Sequence, residues 1–432
     1  MTATLIAVLA LLLFLMILAI GVPIGIAMGM VGFLGILALR GDAAFATLFT
    51  IPYSSMASWS LSVIPMFLLM GYVGFHAGFT KDAYETAYKW LGRLPGGLAI
   101  ATLFGGAAFG ACSGSSIAAT AALGKIAIPE MERMHYDLKL ACGTAALAGT
   151  LDALIPPSIL LVLYGIAAEQ SVGKLLIAGI VPGILCMLTF SALIFVRATI
   201  NPALAPRGAK TSFGEKIASL TYTAPLVIIF IVVVAGLYTG VFTPTEAGAT
   251  GALAILVIAV AMGRIGLGKL RESVMETVRV TCSIFVIVLG AYIFVQFLAM
   301  SRLPISFAEW VVGLPVHRMW ILIGVLGVYL VLGCFLDALG LILLTVPFIF
   351  PAIKAMGFDP IWFGVIVTLM AEISLVTPPV GMNIFVISGV AKDVPMYSTF
   401  RAMGPYLIPM LILVVLLTAF PQIALFLPTS MK

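Results

Sequence analysis

The chain has 432 residues, of which 62% are hydrophobic and 9% charged, with a formal net charge of +5 at pH 7. A soluble domain carries roughly a quarter of its residues as charged side chains, so this composition excludes a water-soluble globular protein. No basic block carries the aromatic interleaving of a nucleic-acid site, and the five cysteines lie in apolar stretches without CxxC spacing, which sets aside disulfides and zinc.

Apolar runs near the length of a membrane-crossing helix recur along the chain, clearly at 5–20, 175–196, 224–237, 247–262, 282–299 and 406–420. Period-2 alternation is absent, so they predict helices and not a barrel. The chain start lacks the positive segment of a signal peptide, and 5–20 is expected to remain as a span. Between the spans lie amphipathic segments at 80–95 and 301–315. They carry Tyr84, Tyr88, Trp90 and Trp310 beside charged residues and suit arms lying along the membrane interface.

A gap-free shift of 222 residues lays Cys112 on Cys334, Pro129 on Pro351, Asp137 on Asp359, and Pro156-Pro157 on Pro378-Pro379. At nearby shifts Pro23 meets Pro244 and Trp90 meets Trp310. The fold expected is therefore an all-α polytopic membrane protein built from two repeats, 1–197 and 222–432, joined by a cytoplasmic linker at 198–221. Each repeat holds scaffold spans, an arm helix, a Gly-rich re-entrant hairpin (98–128 and 319–353) and a helix broken by Pro-Pro (139–168 and 361–391). Two hairpins and about ten spans, five in each half, invert the second half relative to the first. The distribution of basic residues agrees with inversion: it assigns 16 of the 22 to the cytoplasm and leaves both termini outside. Labels at Lys210 and Lys432 should then mark opposite faces.

Inverted repeats with interrupted helices mark a secondary transporter, because irregular backbone survives in a bilayer only around a cavity. Pro-Pro frees carbonyls that suit a monovalent cation, and each new half-helix N-terminus suits an anion. One Pro-Pro is explained by a packed kink. Two in register, each flanked by hydroxyl, amide or acid groups, favour a site. The hairpin turns supply the rest: the first, 110–116, offers the hydroxyls of Ser113, Ser115 and Ser116, and the second, 333–340, carries Asp337. Small-residue helix packing is the alternative there. Intramembrane acids are costly and usually functional, which singles out Asp152, Asp337 and Glu372, although each could cap a half-helix instead. Glu246 is accounted for as a helix-start acid behind Thr243. His76, His135 and His317 share no spacing, and no nucleophile or acid–base pair stands out, so no enzyme is expected.

Four motifs, in order, resemble the large membrane subunit of tripartite ATP-independent periplasmic (TRAP) transporters: Ser-Gly-Ser-Ser-Ile-Ala (113–118), Ile-Pro-Pro-Ser-Ile-Leu (155–160), Ser-Val-Gly-Lys-Leu-Leu-Ile-Ala-Gly-Ile-Val-Pro-Gly (171–183) and Val-Phe-Thr-Pro-Thr-Glu-Ala-Gly-Ala (241–249). The resemblance covers essentially the whole chain. It implies a bacterial inner-membrane protein taking up a small organic anion with Na+ by an elevator mechanism. It also implies a periplasmic binding protein that delivers the substrate and a separate four-helix small membrane subunit. The family's pairing of hairpin tip with adjacent break maps sodium ligands onto Ser113, Gly114, Ser115, Gly149, Asp152 and Pro156, and onto Gly333, Leu336, Asp337, Thr377, Pro378 and Gly381. Substrate contacts are expected at Ser115, Ser116, Asp152, Ser158 and Asn383. If the tips move with substrate, Cys112 and Cys334 should react with thiol reagents in opposite conformational states. A stand-alone sodium–dicarboxylate symporter of similar architecture is the nearest alternative, followed by an intramembrane enzyme and a passive channel.

Overall fold

The computed structural model describes residues 3–113, 115–208 and 210–431, with helices and connecting turns but no strand among them. Gly114 and Lys432 lie outside the described residues, as do the side chains of Cys112 and Ser113. The first half runs α1 (Ala3–Ala19), α2 (Ile24–Arg40), α3 (Ala43–Met56), α4 (Val63–His76), α5 (Phe79–Leu91), α6 (Gly97–Ser113), α7 (Ser116–Arg133), α8 (Leu138–Thr150), α9 (Ile159–Ala167), α10 (Val172–Ala178) and α11 (Ile180–Ile200). The second runs α12 (Phe213–Tyr238), α13 (Pro244–Ala261), α14 (Leu267–Ser301), α15 (Leu303–Val312), α16 (Arg318–Gly333), α17 (Ala338–Ala355), α18 (Pro360–Leu375), α19 (Met382–Val390), α20 (Met396–Ala419) and α21 (Gln422–Thr429). Among the described residues seven helical stretches are long and apolar enough to cross a membrane unaided. Their outward residues, such as Ile228, Leu253, Val257 and Val415, are apolar and exposed, as a lipid-facing surface requires.

Local chemistry sets the helix starts, and it sets them in pairs. Ser115 caps α7 through the amide of Ala118, and Asp337 caps α17 through that of Gly340. Asp137 accepts from Leu140 N at the start of α8, while Asp359 accepts from Ile361 N and Trp362 N at the start of α18. Thr243 and Glu246 form a capping box on α13. After α8 the chain passes through a 3₁₀ turn (Leu151–Ala153) and a cis Pro156-Pro157 bond before Ser158 caps α9. After α18 it passes through a cis Pro378-Pro379 bond, and Gly381, at φ +56°, opens α19 without a side-chain cap. A left-handed residue there favours glycine, which has no Cβ to clash.

The same contacts are made twice. The 222-residue shift carries α2 to α13 and α4 to α14; α2 packs along α14, and α4 along α13. It likewise carries α7 to α17 and α9 to α19; α7 packs on α19, and α9 on α17. Helices α11 and α20, counterparts of each other, pack together. Exchange of partners between halves is what a two-fold relation produces.

Two details differ from the sequence reading. The linker expected at 198–221 is shorter, because a Ser212–Glu215 capping box starts α12 at Phe213. The third span of the first half is also interrupted, with Trp59–Ser62 as a 3₁₀ turn between α3 and α4, whereas its counterpart α14 continues for 35 residues. The arm helix α5 is tied to the scaffold. Asp82 pairs with Arg264, Thr86 Oγ1 donates to Ser219 O at 3.0 Å, and Trp90 Nε1 donates to Lys216 O at 3.2 Å. Its counterpart α15 instead stacks Phe307 on Phe348 of α17, with ring centroids 4.7 Å apart.

Candidate functional site

Both hairpin turns open into one cleft of about 70 Å³. Ser115 and Ser116 line it from the first hairpin and Asp337 and Ala338 from the second. Ile159 and Leu160 enter from the start of α9, and Val280 and Ile284 of α14 form an apolar wall. Three helix N-termini (α7, α9 and α17) therefore reach one small space, each bringing partial positive charge. Among the described residues no lysine or arginine lines the cleft.

Behind the first turn lies a buried polar cluster. Ser116 Oγ is 2.8 Å from Asp152 Oδ1 and 2.5 Å from Glu372 Oε1, and both acids are 0% exposed. Bare backbone makes this approach possible. A Cβ on Gly110 would lie 2.4 Å from Asp152 Cα, and one on Gly149 would lie 2.7 Å from Ser116 O.

The expected ligand residues fall into two neighbourhoods. Ser116, Gly149 and Asp152 meet behind the first tip, and Pro156 is buried just beyond the 3₁₀ turn. At the second, Cys334 Sγ donates to Pro378 O at 3.3 Å, joining tip to break. Gly333 packs against Ser374, where a Cβ would meet Oγ at 2.0 Å. Leu336 is buried, and Thr377 Oγ1 donates to Ile373 O at 2.6 Å. Ser158 and Asn383, expected at the substrate, are fully buried and outside the cleft lining. The Ser158 hydroxyl accepts from Leu161 N in the α9 cap, whereas both amide atoms of Asn383 lack a partner among the described residues. Glu372 stood out in the sequence only as an acid in an apolar helix; its contact with Ser116 spans 256 positions and has no local signal.

Two other features are set apart by their chemistry. A cavity of about 690 Å³ between α1, α14, α15, α16 and α17 is lined by residues such as Phe14, Trp310, Trp320 and Phe348 and offers almost no polar group. His76 lies 3.2 Å from Glu276 and 3.7 Å from Glu272 at the scaffold edge, and among the described residues no three metal-ligating side chains converge.

A helical, multi-pass membrane protein in which two broken helices and two hairpin turns meet at a small cleft, apolar but for two serines and an aspartate, has the architecture of a transporter. That fold is shared with the YdaH transporter of Alcanivorax borkumensis (TM-score 0.67, 16% identity, 89% of this chain and 90% of that one). It is shared also with MtrF of Neisseria gonorrhoeae (TM-score 0.61, 14% identity, 90% and 85%). Residues 11–423 match the family model described as tripartite ATP-independent periplasmic transporter, DctM component, and the chain belongs to that family. It is 36% identical to the C4-dicarboxylate TRAP transporter large permease protein DctM of Pseudomonas aeruginosa, over 93% of each chain. It is 32% identical to the sialic acid TRAP transporter large permease protein SiaM of Vibrio cholerae, over 86% of each. The isethionate TRAP transporter permease protein DctMQ of Oleidesulfovibrio alaskensis is 31% identical over 96% of this chain and 65% of its own length.

Proposed function

We propose that this chain carries a small organic anion, a C4-dicarboxylate, sialic acid or similar carboxylate, into the cell together with Na+. A periplasmic binding protein hands over the substrate, and a separate four-helix subunit completes the complex in the bacterial inner membrane. The carrying observation is the cleft itself. Three helix N-termini attract a carboxylate there, yet among the described residues the same space is lined by Asp337 and no basic side chain. An anion bound beside that acid needs cations nearby, which ties its binding to sodium at the two tip-and-break neighbourhoods.

The walls suggest the motion. The hairpin turns provide the polar side, Ser115, Ser116 and Asp337, whereas α14 provides Val280 and Ile284, which form no side-chain hydrogen bonds to break as that side slides past. The two-fold exchange of contacts, with basic residues concentrated on one side, supports inverted halves and an elevator-like movement.

Two outcomes follow. Cysteines introduced at Lys210 and Ser430 should react with impermeant reagents from opposite faces; labelling from one face would end the inverted reading. Ser115→Leu and Thr377→Val should each raise the sodium concentration for half-maximal uptake by about tenfold or more, the scale of one lost buried polar contact. Wild-type sodium dependence in both would remove these positions from the cation sites.

A further inference from the structure

Ser116 has a single hydroxyl hydrogen, so it donates to one carboxylate oxygen at a time. Its two short contacts, to Asp152 Oδ1 and Glu372 Oε1, leave one pair of oxygens at hydrogen-bond distance with no positive atom between them. The remaining carboxyl oxygens, Asp152 Oδ2 and Glu372 Oε2, are buried without a partner. So is the hydroxyl of Thr120, one turn along α7 and fully buried beside Gly149. Among the described residues neither acid has a lysine, arginine or histidine within ion-pair distance. Two carboxylates in a sealed interior without counter-charge are strongly unfavourable.

We propose that Ser116, Asp152 and Glu372 bind one monovalent cation between them, making the first cation site a joint product of both halves of the chain. This rests on the sodium-coupled reading above. Of the ligand set expected within 113–156 it keeps Asp152; it adds Ser116, expected above at the substrate, and Glu372, a carboxylate from the other repeat. The donors are all oxygen, which suits a hard cation and not a thiolate- or imidazole-seeking metal. Magnesium keeps several waters, which a cluster with both acids at 0% exposure does not offer. Filling the site would clamp α7 of the first hairpin and the 3₁₀ turn of the first broken helix onto α18 of the second. Cation binding would thereby set how the first hairpin turn, which lines the cleft, packs against both broken helices.

The test uses the purified full-length chain in NaCl, KCl or choline chloride, with thermal unfolding and bound radioactive sodium as readouts. Glu372→Gln keeps the side-chain shape and removes the charge; Ser116→Ala and Asp152→Asn serve should that variant fail to fold. Sodium should stabilise the wild type over choline, and each variant should need about tenfold more sodium or more for half the effect. Wild-type sodium affinity and stoichiometry in Glu372→Gln and Ser116→Ala would overturn the assignment and leave sodium coupling standing. A wild-type response to potassium but not sodium, lost in Glu372→Gln, would keep the cluster as a cation site and overturn sodium coupling. Stabilisation by acid in place of either salt, lost in the same variant, would assign a proton and overturn the proposal. No response to any of these would overturn both readings.

Discussion

Alanine at Gly110 is expected to abolish uptake and lower the unfolding midpoint, although it adds one methyl group. The new Cβ would lie 2.3 Å from Asp152 Cβ and 2.4 Å from Asp152 Cα, so backbone, not a flexible side-chain end, must yield. Helix α6 would be pushed off the Leu151–Ala153 turn, and Asp152 would be drawn away from Ser116. Overpacking of this kind costs about 1–3 kcal/mol of stability. The loss of uptake should exceed what that destabilisation explains, because the displaced group belongs to the buried polar cluster. Gly389→Ala is the control, since nothing lies within 4 Å of the Cβ it would add. Uptake by Gly110→Ala at the wild-type rate would show that the tight approach of α6 to the turn has no functional role.

Valine at Gly290 is expected to prevent stable folding altogether. Helix α14 crosses α2 with backbone against backbone: a Cβ on Gly290 would lie 1.8 Å from Gly25 O, and one on Gly25 would lie 2.7 Å from Ile287 Cα. A third close approach follows at Gly32, 2.8 Å from Phe294 Cα. Small residues let membrane helices approach this closely, and here they join the first half of the scaffold to the second. A branched side chain forces the helices apart along the crossing, which costs about 3 kcal/mol or more. Gly324→Val, on α16 with open space around it, should yield monodisperse protein in detergent, whereas Gly290→Val should not. Equal yield and equal melting of the two variants would contradict the packing account.

The helix interruptions at Pro156-Pro157 and Pro378-Pro379 fall where the sequence carries a local signal. Pro-Pro interrupts a helix wherever it stands, and the paired residues Ser115/Asp337 and Asp137/Asp359 become helix caps in the structure. The early start of α12 was missed, although Ser212 followed three positions later by Glu215 carries the signal for it. The interruption between α3 and α4 was not, since its counterpart shares the apolar character but stays continuous. Ser158 looked like a ligand because it follows Pro-Pro, yet the same position makes it the α9 cap. Nor does any local pattern reveal that Glu372 faces Ser116, or which glycines touch backbone. Those facts arise only when the two halves pack, and they separate Gly110 and Gly290 from open positions such as Gly389.

The proposed function is sodium-driven uptake of an organic anion that depends on a binding protein. It is tested most directly in proteoliposomes holding this chain and its small membrane subunit, with the cognate periplasmic binding protein added outside. Radiolabelled carboxylates, beginning with C4-dicarboxylates and sialic acid, should accumulate only when an inward sodium gradient and the binding protein are both present. Accumulation that persists at the same rate with choline in place of sodium, or without the binding protein, would contradict it.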